Sequence, residues 1–100
     1  MQHQSSMDKV VVLFTMEGCP YCVQMKEELN KLNLEYVERD INTHEEEYDL
    51  FVEVTENDYV PAFMIIEEPE GDAKTHLFAP DRDFTDIIDG VNIIKEHLEK

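Results

Sequence analysis

Residues 9–22, KVVVLFTMEGCPYC, combine a short apolar run with two cysteines that stand three positions apart. The run from Lys9 to Phe14 is rich in β-branched residues, which is typical of a strand buried on both faces. Pro20 suits the first turn of a helix, because the N–H that proline lacks has no partner there. The stretch therefore predicts a buried strand, a turn and a helix that opens at the two cysteines.

Cys19 and Cys22 are the only cysteines in the sequence. A bridge between them closes a very small loop, so structural stapling is a poor explanation for the pair. Tetrahedral zinc needs four ligands, and the four histidines, interpreted as solvated, offer no His-x₃₋₅-His spacing to complete a site. A redox-active dithiol needs no further ligand and is favoured. Zinc binding and an inert role stay open as alternatives.

Three segments have the apolar spacing of helices. From Pro20 the apolar residues recur every three or four positions, and this pattern ends at Asn33. Thr43-His44-Glu45-Glu46 matches the capping box of a second helix, whose predicted buried face carries Tyr48, Phe51, Val52 and Thr55. A last helix has Asp83 as its predicted N-cap and a buried stripe made of Phe84, Ile87, Ile88, Val91, Ile94 and Leu98.

Strand patterns occupy the segments between these helices. They cover residues 9–14, 34–38, 61–66 and 75–78, and residues 67–72 are predicted to form a hairpin turn. The order β-α-β-α-β-β-α makes the first two strands parallel through a right-handed crossover and the last two a hairpin. It predicts an α/β fold with a four-stranded mixed sheet and flanking helices. The dithiol then lies at the sheet edge where open α/β folds place their sites.

The charge of the chain argues against several classes of partner. Eight basic and 24 acidic residues give a formal net charge of −16 at pH 7. Nucleic acids and anionic membrane surfaces attract basic proteins, so neither is an expected partner. No apolar run approaches the length of a transmembrane helix, and residues 1–8 lack the pattern of a secretory signal. We therefore expect a disordered leader over residues 1–8 and one cytoplasmic domain over residues 9–100.

The dithiol motif and the element order resemble those of the glutaredoxins, small proteins with the thioredoxin fold. Cys19-Pro20-Tyr21-Cys22 opens the first helix, Val60-Pro61 opens the third strand, and the resemblance extends from Lys9 to Leu98. It implies a thiol–disulfide oxidoreductase in which Cys19 attacks a substrate disulfide and Cys22 resolves the mixed disulfide. It also implies a cis bond before Pro61, which would present the Val60 backbone to a substrate that Tyr21 flanks.

The resemblance further implies glutathione as the electron donor and disulfide-containing proteins, such as ribonucleotide reductase, as acceptors. Asp83 matches the acidic residue that contacts the γ-glutamyl end of glutathione in the family, and Arg82 is placed to pair with a glutathione carboxylate. We expect a monomer with no bound cofactor or metal.

The sequence departs from the glutaredoxin pattern at three places. Met16 stands where the family usually has a lysine, Tyr59 stands for a common threonine, and Ala79-Pro80 replaces Gly-Gly. Met16 would instead be an apolar contact beside the first cysteine. These departures favour, as an alternative, a redoxin recharged by a thioredoxin reductase. An alternative of another class is a non-enzymatic metal carrier or protein-interaction module.

Overall fold

Four strands and three helices follow one another in the computed structural model, which describes residues 9–67 and 74–99. The elements are β1 (Lys9–Thr15), α1 (Pro20–Lys31), β2 (Val37–Asp40), α2 (Glu45–Thr55), β3 (Ala62–Glu67), β4 (Lys74–Phe78) and α3 (Ile87–Glu99). The predicted order β-α-β-α-β-β-α is confirmed. The predicted leader, residues 1–8, and most of the predicted hairpin turn lie outside the described residues.

The four strands form one mixed sheet in the order β2-β1-β3-β4. β1 pairs with β2 in parallel and with β3 antiparallel, and β3 and β4 are antiparallel. β1 is central, and both faces of this strand are buried, as its continuous apolar run predicts.

Each face of the sheet carries its own apolar core. One core joins Val11 and Leu13 of β1 to Met25 of α1 and Ile94 of α3. On the other face, Phe14 packs against Tyr48 and Phe51 of α2, with ring centroids 5.5 and 5.1 Å away. A four-stranded mixed sheet between α1 and α3 on one side and α2 on the other is the predicted thioredoxin-like fold.

The second strand begins later than the apolar alternation of residues 34–38 predicts. Asn33 has a φ of 57°, and the N–H of Leu34 donates to the carbonyl of Leu29 over 3.0 Å. The chain therefore still closes α1 where the alternation begins. Leu34 and Tyr36 pack against the core from this connection. Core packing, not strand pairing, explains their apolar character.

Two predicted helix starts are wrong. The hydroxyl of Thr43 donates to the carbonyl of Asp40 over 3.2 Å, and α2 begins one residue later than the capping box predicts. Asp83 does not cap α3; the carboxylate of Asp86 accepts the N–H of Asp89 over 2.9 Å there. Short polar side chains serve turns and caps equally well, so their type does not fix the register.

Other expectations about α3 and the histidines also need correction. Ile88 is half-exposed and leaves the predicted apolar stripe. The ring of His76 approaches the carboxylate of Glu67, with Nε2 2.5 Å from Oε2, and stacks obliquely on the ring of His97. Neither histidine is therefore merely solvated. None of the described helices is long and apolar enough to cross a membrane.

Candidate active site

The two cysteines lie where β1 passes into α1. The N–H of Cys19 donates to the carbonyl of Met16 over 3.2 Å and closes a turn that contains Gly18 at a φ of 80°. That backbone conformation favours glycine, because the Cβ of other residues crowds the chain there. The turn places Cys19 at the N-cap of α1 and Pro20 in its first turn.

Cys19 and Cys22 form a disulfide, with their Cα atoms 5.2 Å apart. The backbone N–H of Cys22 donates to Sγ of Cys19 over 3.1 Å. Cys22 is 1% exposed and Cys19 is 7% exposed, so the first cysteine is the more accessible of a buried pair. After reduction, the same N–H and the helix N-terminus would stabilise negative charge on the Cys19 sulfur.

A three-residue network holds α1 against the sheet behind the dithiol. The buried hydroxyl of Thr15, at the end of β1, donates to Oε2 of Glu38 in β2 over 2.8 Å. Nζ of Lys26 in α1 lies 2.9 Å from the same oxygen. The hydrogen bond from Lys26, followed by that from Thr15, lowers the pKa of Glu38. The network links the helix that carries both cysteines to β1 and β2.

The segment before β3 faces the dithiol. The Val60–Pro61 peptide bond is cis, as the family resemblance implies. The carbonyl oxygen of Val60 lies 3.9 Å from Sγ of Cys19. The side chain of Asn57 accepts the N–H of Tyr59 over 3.0 Å and donates to the carbonyl of Pro80 over 2.7 Å. These bonds tie the Val60–Pro61 segment to the turn that precedes α3.

A groove of about 550 Å³ lies between α1, this segment and the start of α3. It brings together three residues that the sequence singled out, Tyr21, Val60 and Pro61. Its complete lining is Tyr21, Gln24, Tyr59, Val60, Pro61, Pro80, Asp81, Phe84, Thr85, Asp86 and Ile87. The two tyrosines are well exposed and flank the groove.

The other predicted site residues lie outside the lining of this groove, the two cysteines among them, and Cys19 adjoins the groove through the carbonyl of Val60. Met16 is 41% exposed in the turn before Cys19. The carboxylate of Asp83 accepts the N–H of buried Ala79 over 2.8 Å and lies 3.3 Å from Nη1 of Arg82. Asp83 thus stabilises the turn before α3, whereas the part that Arg82 and Asp83 play in binding glutathione stays a prediction.

Sequence reasoning missed the acidic character of the groove. Asp81 and Asp86 line it, and among the described lining residues none is basic. Asp81 has a φ of 65°, and its N–H donates to the carbonyl of Phe84 over 2.8 Å. No local motif marks either aspartate, because the fold of the turn before α3 brings them to the groove. Tyr59, by contrast, could be noticed from the sequence, because it replaces a residue that is common in the family.

Comparison with known families agrees with this geometry. The family model described as Glutaredoxin matches residues 11–68, which is more than half of the chain. The match runs from β1 to the end of β3 and includes both cysteines and Val60-Pro61, whereas β4 and α3 lie beyond it. No individual curated protein matches the chain. On the family match, and with the dithiol, the cis proline and the thioredoxin-like sheet in place, the chain belongs to the glutaredoxin family.

Proposed function

We propose that the protein is a cytoplasmic, monomeric thiol–disulfide oxidoreductase that uses glutathione to reduce protein disulfides or glutathione mixed disulfides. The observation that carries the proposal is the position of the dithiol. Cys19 caps α1, is more exposed than Cys22, and lies beside the carbonyl of Val60 at the groove. Glutaredoxins in general draw on glutathione and reduce disulfide proteins. Ribonucleotide reductase is one acceptor of this class.

The reaction begins from the reduced protein. The Cys19 thiolate attacks one sulfur of the substrate disulfide, and the other sulfur leaves as a thiolate that takes up a proton. The Cys22 thiol then gives up its proton and attacks Sγ of Cys19. This releases the second substrate thiol and leaves the Cys19–Cys22 disulfide. Two glutathione molecules reduce that bond and leave as oxidised glutathione, so two electrons pass in each cycle.

The groove would hold the substrate during these steps. We propose that an extended substrate segment lies along the Val60 backbone, with Tyr21 and Tyr59 on either side. Met16 would contact the substrate next to Cys19. Arg82 is half-exposed, and we propose that it pairs with a glutathione carboxylate near the start of α3.

A second candidate donor is a thioredoxin reductase. Asp81 and Asp86 line the groove, and Met16 occupies the position where a lysine is usual in the family. Glutathione carries two carboxylates, and negative groups in the groove repel them. This arrangement favours electron delivery by a protein that contacts the dithiol directly. The dithiol chemistry is the same for both donors.

An assay with two donors tests the proposal. The purified protein is given a disulfide substrate with NADPH and either glutathione plus glutathione reductase or thioredoxin reductase alone, with Cys19→Ser as the inactive control. We expect turnover with glutathione that disappears in the control. Turnover with thioredoxin reductase alone would mean that this enzyme, and not glutathione, is the electron donor. The dithiol reaction itself would be unchanged. Silence with both donors would contradict the proposal and favour a metal carrier or an interaction module.

A further inference from the structure

Two histidines and a glutamate meet at the end of the sheet opposite to the dithiol. Glu67 ends β3, His76 lies in β4, and His97 lies in the last turn of α3. One potential ligand atom from each of the three side chains lies within 4.8 Å of the other two. All three residues are partly buried. The three residues are referred to below as the His/Glu cluster.

We propose that the His/Glu cluster binds a divalent transition-metal ion, with Zn²⁺ as the physiological candidate. Imidazole nitrogen and carboxylate oxygen are both common zinc ligands, and imidazole also suits Co²⁺, Ni²⁺ and Cu²⁺. Two histidines and one glutamate supply three of the four positions of a tetrahedral ion. Water takes the fourth position.

The spacing of the ligand atoms suits an ion of this size. Zinc lies about 2.0–2.2 Å from nitrogen and oxygen ligands, so two ligands of a tetrahedral ion are about 3.3 Å apart. Nε2 of His76 and Oε2 of Glu67 are 2.5 Å apart, and no pair within the cluster exceeds 4.8 Å. The His76–Glu67 pair is closer than two ligands of one ion, and the separations from His97 lie within the stated bound. Binding would require the Nε2 atom of His76 and the Oε2 atom of Glu67 to move apart by about 0.8 Å, so that the ion lies between them.

Some charges around the His/Glu cluster favour a bound cation, and others oppose it. The carboxylate of Glu67 supplies one negative charge within the cluster itself. The net charge of −16 also attracts cations. The ammonium of Lys9 opposes a bound cation. Lys9 is the register partner of Glu67 in the neighbouring strand β1, and its ammonium donates to the carbonyl of His97. Lys74 is the register partner of Glu67 in β4.

The His/Glu cluster is distinct from the zinc site that the cysteines suggested. Lys9, beside the cluster, begins β1, and Cys19 follows the end of the same strand. The six residue steps of β1 separate the two ends of the sheet by about 20 Å. Metal at the cluster would join β3, β4 and α3, and would leave the dithiol chemistry untouched.

Zinc titration of the oxidised full-length protein tests the proposal. The Cys19–Cys22 disulfide removes thiolate ligands, so any binding comes from other groups. We expect one Zn²⁺ per chain by calorimetry and equilibrium dialysis, and an affinity about 10-fold or more weaker in both His76→Gln and His97→Gln. His44→Gln is the matched control, since His44 lies at the start of α2, and it should bind zinc like the parent.

Removing the positive charge of Lys9 should strengthen zinc binding, the opposite of the effect expected for the histidine variants. Lys9→Gln keeps a hydrogen-bond donor for the carbonyl of His97 and deletes the ammonium, so zinc should bind severalfold more tightly. Circular dichroism shows that each variant is folded before its titration is interpreted. Absence of stoichiometric binding, equal binding by parent and both histidine variants, or loss of binding in His44→Gln would each overturn the proposal. None of these outcomes bears on disulfide reduction.

Discussion

The two walls of the groove are built in different ways. The wall formed by the start of α1, which the turn at Gly18 positions, lies within the family match, and neighbouring residues determine its geometry. The opposite wall, the turn of residues 79–86, lies outside the match and is held by a bond from a distant residue and by bonds within the turn itself. Asn57 holds the carbonyl of Pro80, and Asp83 holds the N–H of Ala79. The first wall begins at the dithiol, because Cys19 caps α1, and the second wall shapes what can approach the dithiol.

The largest expected effect is on the wall that carries the chemistry. Cys19→Ser removes the nucleophile and should abolish disulfide reduction. Cys22→Ser removes only the resolving thiol, so it should lose activity on protein disulfides and keep some activity on glutathione mixed disulfides. Parallel assays on the two substrate types measure both effects. Parental rates in Cys19→Ser would contradict the assigned mechanism.

Gly90 tests how tightly α3, which follows the second wall, packs against α1 and Phe84. A Cβ at this position of α3 would lie 2.7 Å from Cε of Met25 and 3.2 Å from two ring carbons of Phe84. Gly90→Leu should therefore destabilise the protein by about 1–3 kcal/mol through overpacking, measured by urea unfolding.

Two comparisons separate overpacking from other effects of a glycine substitution. In a Met25→Ala background the nearest atom is gone, so Gly90→Leu should cost less, and a double-mutant cycle measures the difference. Gly18→Ala is the counterpart in the turn that positions the first wall, where a Cβ would have no neighbour within 4 Å but the positive φ opposes a side chain. It should cost about 1 kcal/mol. Equal costs of Gly90→Leu with and without Met25 would count against the packing explanation.

Asp83 distinguishes a structural role from a ligand-binding role in the second wall. Asp83→Ala leaves the N–H of buried Ala79 without its acceptor and should cost about 1–2 kcal/mol of unfolding free energy. Asp83→Asn keeps an acceptor oxygen and should cost less. If Asp83→Ala unfolds like the parent but raises KM for glutathione, the carboxylate binds the ligand and the structural assignment is wrong.

The sequence predicted the fold and the first wall because both follow from short-range patterns. The β-branched run of β1 and the Cys-Pro-Tyr-Cys motif each specify their own conformation. The second wall could not be predicted in the same way. Asp83 and Asp86 are equally plausible helix caps by residue type, and only the fold of the turn shows that Asp86 is the cap. Gly90 contacts Met25 and Phe84, which lie in other parts of the fold. No local sequence pattern predicts a contact of this kind.

The substitution at Met16 has the smallest expected effect, and it tests which electron donor the protein uses. Its side chain is exposed three residues before Cys19, so Met16→Lys adds a positive charge beside the dithiol with little change in packing. Surface charge pairs are worth about 0.2–1 kcal/mol, which corresponds to a decrease of about 1.5- to 5-fold in KM for glutathione. Val23→Lys places the same charge on exposed α1 and controls for net charge. A lower KM in Met16→Lys alone would mean that glutathione binds next to Cys19 and that the missing lysine weakens it. Equal values in both variants would mean that the position has no special contact with glutathione, which would favour a protein donor that meets the dithiol through the acidic groove.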